Sequence, residues 1–287
     1  MSKMTSAHPQ DDAHRCMICD APTHYYFSKR YADLPPNAPF ETLSVDYWRC
    51  GECGFVASRT HQEMDAGQWE ALNGSFHHYI EAGNKIGNQP PYADQALALQ
   101  MLTRNSVVDL SNALDYAAGY GTLSRFSRKY FGSSIRMFDR YVRDSGPGAE
   151  YVAEQDLGRY QLVINSAMFE HVLQRADLDE VNALVADDGC LMMHTVVCER
   201  VPADPDWFYI VPVVHTAFHT NRSMSLLMQQ WGYAASIYSP QAKSWFLFKR
   251  DNPRIKELKR AVERMNAEVQ TQYFHYKADF VDYWKGF

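Results

Sequence analysis

Leu114-Asp115-Tyr116-Ala117-Ala118-Gly119-Tyr120-Gly121-Thr122 is the stretch on which the fold turns. An apolar run ends in an acid, two glycines follow, and a helix-like segment begins at Thr122. Glycine lets a backbone approach a ligand closely where a strand turns into a helix. A dinucleotide fingerprint needs G-x-G-x-x-G, but the third position here is Ser124. A phosphate-binding loop needs Gly-Lys-Ser/Thr, which the stretch lacks. Asp115 at the strand end would repel a pyrophosphate and would suit a ligand carrying an ammonium or sulfonium group. A second β-rich run, Ser134 to Phe138, leads into Asp139, 24 residues after Asp115. That distance suits a carboxylate gripping both hydroxyls of a ribose.

Outward from this turn the chain alternates. Short β-rich runs occur at Ser111 to Tyr116, Ser134 to Phe138, Leu162 to Asn165 and Cys190 to Val197, with helix-like stretches at Thr122 to Phe131 and Ala176 to Ala186. The alternation predicts an α/β fold, a parallel sheet with crossover helices. Ala234 to Tyr238 and Ser244 to Lys249 read as a terminal antiparallel pair. Ile255 to Phe287 is helical in pattern and rich in Tyr, Phe and Trp, and it would pack on its own domain or on a second subunit, as in a homodimer. Residues 61–106 read as a helical connector: Trp69, Leu72, Phe76 and Tyr79 recur at steps of three or four, Asn88-Gln89-Pro90-Pro91 interrupts, and Leu97, Leu99 and Leu102 resume. The run His77-His78-Tyr79 either lines a pocket or packs on the next domain.

The six cysteines divide the chain. Four form two pairs, Cys16-x-x-Cys19 and Cys50-x-x-Cys53, with 30 residues between them. Each pair turns back on itself, so that four sulfurs can complete a tetrahedral tetrathiolate shell. Gly51 and Gly54 permit the positive φ that such knuckles often need. The pattern predicts a structural zinc ribbon over residues 1–60, the metal compensating for a core too small to fold alone; iron would accept the same ligands. A closed four-sulfur site has no open position and would not be catalytic. Cys190 and Cys198 sit among apolar residues and read as buried thiols.

The 287 residues carry 28 basic and 34 acidic side chains, a net charge of −6, with 46% apolar residues. This is ordinary for a globular chain and argues against disorder. Acids and bases are interspersed over residues 1–60, with no basic stripe, so nucleic acid is not the expected partner. Met1 to Arg15 lacks the basic start and apolar core of a signal peptide, and no run approaches the roughly 20 apolar residues of a membrane span. A cytoplasmic protein without a membrane partner is the expectation.

Here the sequence resembles a known family. Leu114 to Gly121 resembles the first motif of class I S-adenosylmethionine-dependent methyltransferases, apolar-Asp/Glu-x-Gly-x-Gly-x-Gly, with Ala117 in place of the first glycine. One methyl there is compatible with the turn provided its φ is negative. Ile135 to Asp139 resembles the second strand with its ribose-binding acid. Tyr160 to Val172 resembles the fourth-strand motif F-D-L-V-x-x-x-x-V-x-E-H-V, with Gln161 in place of Asp. Val185 to Leu191 resembles L-x-P-G-G-x-L, with Asp187 and Asp188 in place of Pro and Gly. The resemblance spans roughly residues 107–250. It implies a Rossmann-like seven-stranded sheet in a catalytic domain at 107–287. It also implies an S-adenosylmethionine site formed by Asp115, Ala117, Gly119, Gly121, Asp139, Arg140 and the strand-four exit, Asn165, Ser166 and Ala167. Asp115 would lie near the methionine amino group, and Arg140 and Tyr141 would flank the adenine. Glu154 and Asp156 are both candidates for the adenine-contacting acid.

A two-knuckle module ahead of this fold resembles the methyltransferases of deoxysugar and surface-glycan pathways, as does Val214 to Tyr233, which follows their segment x-H-x-x-F-F-S-x-x-S-L-x-x-L-L-x-x-x-G-F. That implies a small-molecule acceptor, a sugar hydroxyl or a keto-sugar carbon. Removing a hydroxyl proton during an in-line methyl displacement calls for a base, and histidine is suited to it. His215 matches the family histidine facing the acceptor, His171 follows strand four, and Glu170 beside it would orient a histidine or accept from a substrate hydroxyl. His194 reads as packed, and His219 as a lining residue of the acceptor cleft. No acidic cluster of the kind Mg2+ needs lies near these histidines in sequence. The competing readings are a zinc-ribbon recruitment module on a catalytically weak scaffold, and a methyltransferase of a protein or an aromatic small molecule.

Overall fold

The computed structural model describes residues 14–82, 90–142 and 150–282. The polar residues 1–13, Asn88 and Gln89 of the connector break, and the terminal residues 283–287 lie outside them.

Two sheets organise the chain. The first opens with the strands β1 (Thr23–Tyr31), β2 (Leu43–Cys50) and β3 (Val56–Ser58), an antiparallel meander flanking the cysteine knuckles. In β2 the residues Leu43, Val45 and Tyr47 are buried while Ser44 and Asp46 are exposed, the period of two that a one-faced sheet imposes. Helices α1 (Arg59–Gln62), α2 (Ala66–Ala82) and α3 (Tyr92–Arg104) follow. Trp69, Leu72 and Phe76 of α2 pack on the first sheet against Phe27, Val45, Tyr47 and Phe218, whereas Leu99 and Leu102 of α3 enter the core of the second.

The second sheet is the α/β unit: β4 (Ala113–Tyr116), α4 (Thr122–Phe131), β5 (Arg136–Phe138), β6 (Tyr160–Ser166), α5 (Arg175–Ala183) and β7 (Val185–His194). Strands β5, β4, β6 and β7 are parallel neighbours. Leu162 to Asn165 is buried throughout, as the continuous apolar run of a strand covered on both faces should be. After β8 (Val197–Cys198), β9 (Ala217–Thr220) and α6 (Asn221–Gln230), the hairpin of β10 (Tyr233–Ser239) and β11 (Ser244–Lys249) returns, with β11 antiparallel to β7. Helix α7 (Leu258–Glu268) precedes β12 (His275–Lys277). The order β12-β10-β11-β7-β6-β4-β5 makes seven strands, in agreement with the sequence reading.

The C-terminal stretch departs from its helical pattern. Among its described residues only Leu258–Glu268 is helix; His275–Lys277 adds an antiparallel edge to β10, with Ile237 opposite Tyr276. The chain turns at Gln270, whose φ is +53°, and Asn266 holds the turn through hydrogen bonds with both N and O of Phe274. The antiparallel hairpin of β10 and β11 forms as the sequence predicts; β12 adds beyond it, and all six residues of β11 are buried.

The first sheet does not end with the knuckle module. Strand β3 pairs with β9, placing Val56 opposite Phe218 and Ala57 opposite Ala217, and β8 completes the order β1-β2-β3-β9-β8. Residues some 160 apart in sequence thus share one sheet. No helix among the described residues is long and apolar enough to cross a membrane.

Candidate active site

The cysteine cluster forms as the spacing predicts. Cys16 and Cys53 place their sulfurs 3.6 Å apart, Cys19 and Cys50 theirs 3.4 Å apart, and the four sulfurs lie within 4.8 Å of one another. Zn–S bonds of about 2.3 Å in a tetrahedron put sulfurs roughly 3.8 Å apart, so the cage suits such an ion. The backbone N–H of Ile18 points to the Cys16 sulfur and that of Cys53 to the Cys50 sulfur, each at 3.4 Å. Cys16, Ile18, Cys50, Cys53 and Phe55 belong to the same core cluster as Phe169 and Trp231, so the zinc-ribbon-like cluster is embedded in the protein.

The glycine turn follows β4. Gly119 and Gly121 adopt φ of +52° and +69°, and a Cβ at Gly121 would collide with the Met137 sulfur. Ala117, however, has φ +58° and not the negative value its methyl favours. Left-handed backbone costs an L-residue roughly 1–2 kcal/mol, so the turn carries strain at Ala117. Ala167, at the strand-four exit, is left-handed as well, with φ +67°.

Asp139 organises the turn from the next strand. Its Oδ2 accepts the Gly119 N–H at 2.8 Å, and its Oδ1 accepts those of Tyr141 and Val142 at 2.9 Å. Asp115 is only 3% exposed, and burial, together with the nearby Asp139 charge, pushes its carboxyl up to about 8. A buried carboxylate beside another acid calls for a cation, and an ammonium or sulfonium ligand answers that need. Asn165 donates to the Tyr116 carbonyl at 3.3 Å, while its buried Oδ1 has no partner. Ser166 donates to Gln95, and the Ala167 N–H to the His194 carbonyl. Arg140 is engaged elsewhere: it bridges Glu180 at 2.8 Å and Glu154 at 3.6 Å, and Tyr141 is 61% exposed. Tyr116 donates to the same Glu180. The donor set therefore fits S-adenosylmethionine through Asp115, the turn and Asp139, with Arg140 tied to the rim.

The predicted histidines converge. The imidazoles of His171 and His215 meet edge to face with centroids 4.9 Å apart, and the ring of His77 from α2 lies 5.1 Å from that of His171. His215 Nδ1 is 2.6 Å from the Tyr209 carbonyl, and His171 Nδ1 is 3.0 Å from that of Val214. A carbonyl only accepts, so both Nδ1 atoms carry the proton and both Nε2 atoms keep a lone pair. Burial lowers both: His215 falls to about 4, and His171, facing two other imidazoles, falls well below the usual range. Both rings are neutral near pH 7.

Glu170 closes the cluster. Its carboxyl is 3% exposed and pushed up to about 7 by burial, against hydrogen bonds from Tyr209 and Thr195 that pull the other way. Its Oε2 is buried without a partner. Its backbone carbonyl accepts from the N–H groups of Thr216 at 2.7 Å and Ala217 at 3.1 Å. Glu170 thus positions the His215 loop through its main chain. The sequence suggested no metal cluster here, yet one carboxylate and two imidazoles offer ligand atoms within 4.8 Å of one another.

The two other candidate histidines are structural. His219 is fully buried between Phe55 and Phe169, so it packs in the interior and does not line a cleft. His194 is fixed by the Lys243 carbonyl at 2.7 Å. Sequence reasoning missed Tyr209, whose carbonyl orients His215 and whose hydroxyl meets Thr195 and the Val196 N–H. Its only signal was the aromatic run from Trp207.

Comparison with known proteins agrees with this architecture. The chain matches the methyltransferase domain family over residues 90–236. No curated protein matches it in sequence. Among solved structures it is similar to the plantazolicin methyltransferase BpumL with S-adenosylhomocysteine, with 9% identity over 63% of this chain and 94% of that one and a TM-score of 0.45. It is similar to the plantazolicin methyltransferase BamL (11% identity, 75% and 93% covered, TM-score 0.45) and to Streptomyces venezuelae DesVI (14%, 60% and 98%, TM-score 0.43). The family match covers half of the chain and takes in the glycine turn, Asp115, Asp139, Glu170 and both facing histidines: the chain belongs to the methyltransferase domain family and is an S-adenosylmethionine-dependent methyltransferase.

Proposed function

We propose that the protein transfers a methyl group to a small polar acceptor, a sugar hydroxyl or a keto-sugar carbon, with His215 as the base. The observation that carries this reading is the edge-to-face pair of His215 and His171, each with its Nδ1 held by a backbone carbonyl so that Nε2 keeps its lone pair. S-adenosylmethionine, when bound, supplies an electrophilic methyl. Asp115, Ala117, Gly119, Gly121, Asp139, Asn165, Ser166 and Ala167 hold it, with Arg140 stabilising the rim through Glu180. Asp115 faces the cationic end and the glycine turn brings the backbone close.

His215 Nε2 accepts the acceptor proton, and His171 Nε2 faces the same space. The Tyr209 carbonyl accepting from Nδ1 favours the imidazolium that forms, because a hydrogen bond to the charged form is the stronger one. Burial excludes water and keeps both rings neutral until the proton arrives. Cys16, Cys19, Cys50 and Cys53 hold a structural Zn2+. In this reading, residues 1–60, 61–106 and 107–287 are the ribbon, the connector and the catalytic domain. The sugar class is supported by the resemblance of the two-knuckle module and of Val214 to Tyr233.

The test is calorimetry with S-adenosylmethionine and S-adenosylhomocysteine, followed by methyl transfer to a panel of sugar nucleotides. Binding by the wild type, and turnover lost in His215→Ala with cofactor affinity unchanged, is the expected result. Normal turnover in both His215→Ala and His171→Ala would remove the base assignment. No cofactor binding by metal-replete protein would favour a recruitment scaffold.

A further inference from the structure

Three hydrogen-bond acceptors converge in the acceptor cleft. One ligand atom each from His171, His215 and Glu170 lies within 4.8 Å of the others; with both Nδ1 atoms committed to backbone carbonyls, the nitrogen left to each imidazole is Nε2, and Glu170 Oε2 is buried with no hydrogen-bond partner. Acceptors facing one another repel, and a cation placed among them removes the repulsion. The surroundings resemble those of a metal centre. Each imidazole donates its far N–H to a backbone carbonyl, Tyr209 O at 2.6 Å and Val214 O at 3.0 Å. That is the outer-shell pattern which fixes the tautomer and orientation of metal-bound histidine. Glu170 is steadied by the hydroxyls of Tyr209 and Thr195. Two imidazoles and one carboxylate are the donor set of zinc, cobalt, nickel and iron, and too poor in oxygen for magnesium or calcium.

We propose that Glu170, His171 and His215 form a second metal site, which takes a divalent transition-metal ion and whose occupancy stops methyl transfer. The inference rests on the base reading of His215, because the ion binds through the same lone pair that accepts the acceptor proton. Bonds of about 2.0–2.1 Å in a tetrahedron put donors roughly 3.3 Å apart. The three side chains therefore close by up to about 1.5 Å between donors, a movement that rotation about their outer χ angles supplies. Both imidazoles bind as neutral ligands, Glu170 binds ionised, and any carboxyl proton leaves to solvent. Three protein ligands leave the remaining positions to water or to an acceptor oxygen. The ribbon differs in kind: four sulfurs close its shell, so a chelator that empties the cleft leaves the ribbon loaded.

The test uses the full chain with its ribbon metal in place. Protein cleared with a mild chelator is titrated with Co2+ while bound metal is counted and visible absorption recorded. One further equivalent is expected, with the weak d–d bands of a nitrogen–oxygen site and without the intense charge-transfer band of thiolate ligation. Methyl transfer is expected to fall at least tenfold at saturation and to return when the chelator is added. Glu170→Gln, His171→Ala and His215→Ala are each expected to lose that equivalent, with cofactor binding serving as the check on folding. Absence of the extra equivalent, its persistence in the three variants, or activation by the metal would overturn the proposal. Turnover of His215→Ala in chelator-treated protein tests the base reading separately: if it is normal, that reading falls, whatever the metal count.

Discussion

The proposed cofactor half and the proposed acceptor half of this protein are built in opposite ways. The cofactor half is local: the turn after β4, Asp139 after β5 and the exit of β6 lie at the ends of adjacent parallel strands. The acceptor half is assembled from a distance. His77 comes from α2, Glu170 and His171 follow β6, and Tyr209 and His215 precede β9. That last strand is held by β3 of the cysteine module. The Ser58 N–H donates to the Thr216 carbonyl at 2.7 Å, and the Thr220 hydroxyl donates to the Cys53 carbonyl at 2.5 Å. His215 is therefore one residue from a contact with the module. In the proposed reading the cysteine module is a buttress of the acceptor site, whereas the cofactor cradle is supported by its own sheet.

The largest effect should come from the acceptor half. His215→Ala is expected to lower the rate of transfer about 10²–10⁴-fold, the usual range for a general base, while calorimetric cofactor affinity stays within about threefold. An equal loss in both would break the division.

The cofactor half should respond in the opposite sense. Asp115→Asn removes a charge-assisted contact of about 1.5–3 kcal/mol and should weaken cofactor binding roughly 10–150-fold. Asp115 has its carboxyl raised to about 8, so below that pH the free enzyme must lose a proton to bind a cationic ligand. Wild-type affinity should drop about tenfold per pH unit below 8 and level off above it, and the slope should vanish in Asp115→Asn. A flat wild-type profile would contradict the placement of Asp115.

Thr220→Val probes the junction between the halves. Thr220 caps α6 through the Ser223 N–H and donates to the Cys53 carbonyl. Its loss should cost about 1–2 kcal/mol, read as a lower midpoint in chemical denaturation. Turnover should suffer more than cofactor affinity. Ala117→Gly is the smallest change. It relieves a φ of +58° and should stabilise the fold by about 1 kcal/mol or less, glycine's greater freedom in the unfolded chain offsetting part of the gain. A destabilised Ala117→Gly would show that the methyl makes a packing contact that outweighs the strain.

The same contrast explains what could be read from the sequence. The glycine turn, Asp115, Asp139 and the apolar run Leu162 to Ile164 are contiguous patterns with a fixed period, and the helix Thr122–Phe131 was legible to the residue. The cysteine spacing likewise foretold the cluster. The sign of φ at Ala117 was not legible, because a side chain does not report the backbone that other residues impose on it. The strand at His275–Lys277 was hidden in a helical pattern, since pairing with β10 overrides local preference. Tyr209 became a functional candidate only through contacts across the fold, and the pairing of β3 with β9 had no local signal.

The most direct test strips the metal proposed for the four-cysteine cluster and measures two quantities on the same preparation, S-adenosylhomocysteine affinity by calorimetry and single-turnover methyl transfer. Affinity is expected to stay within about threefold while transfer is lost, and both should recover when zinc is restored. Transfer that survives the loss of the metal would contradict the claim that the ribbon holds the acceptor site in place.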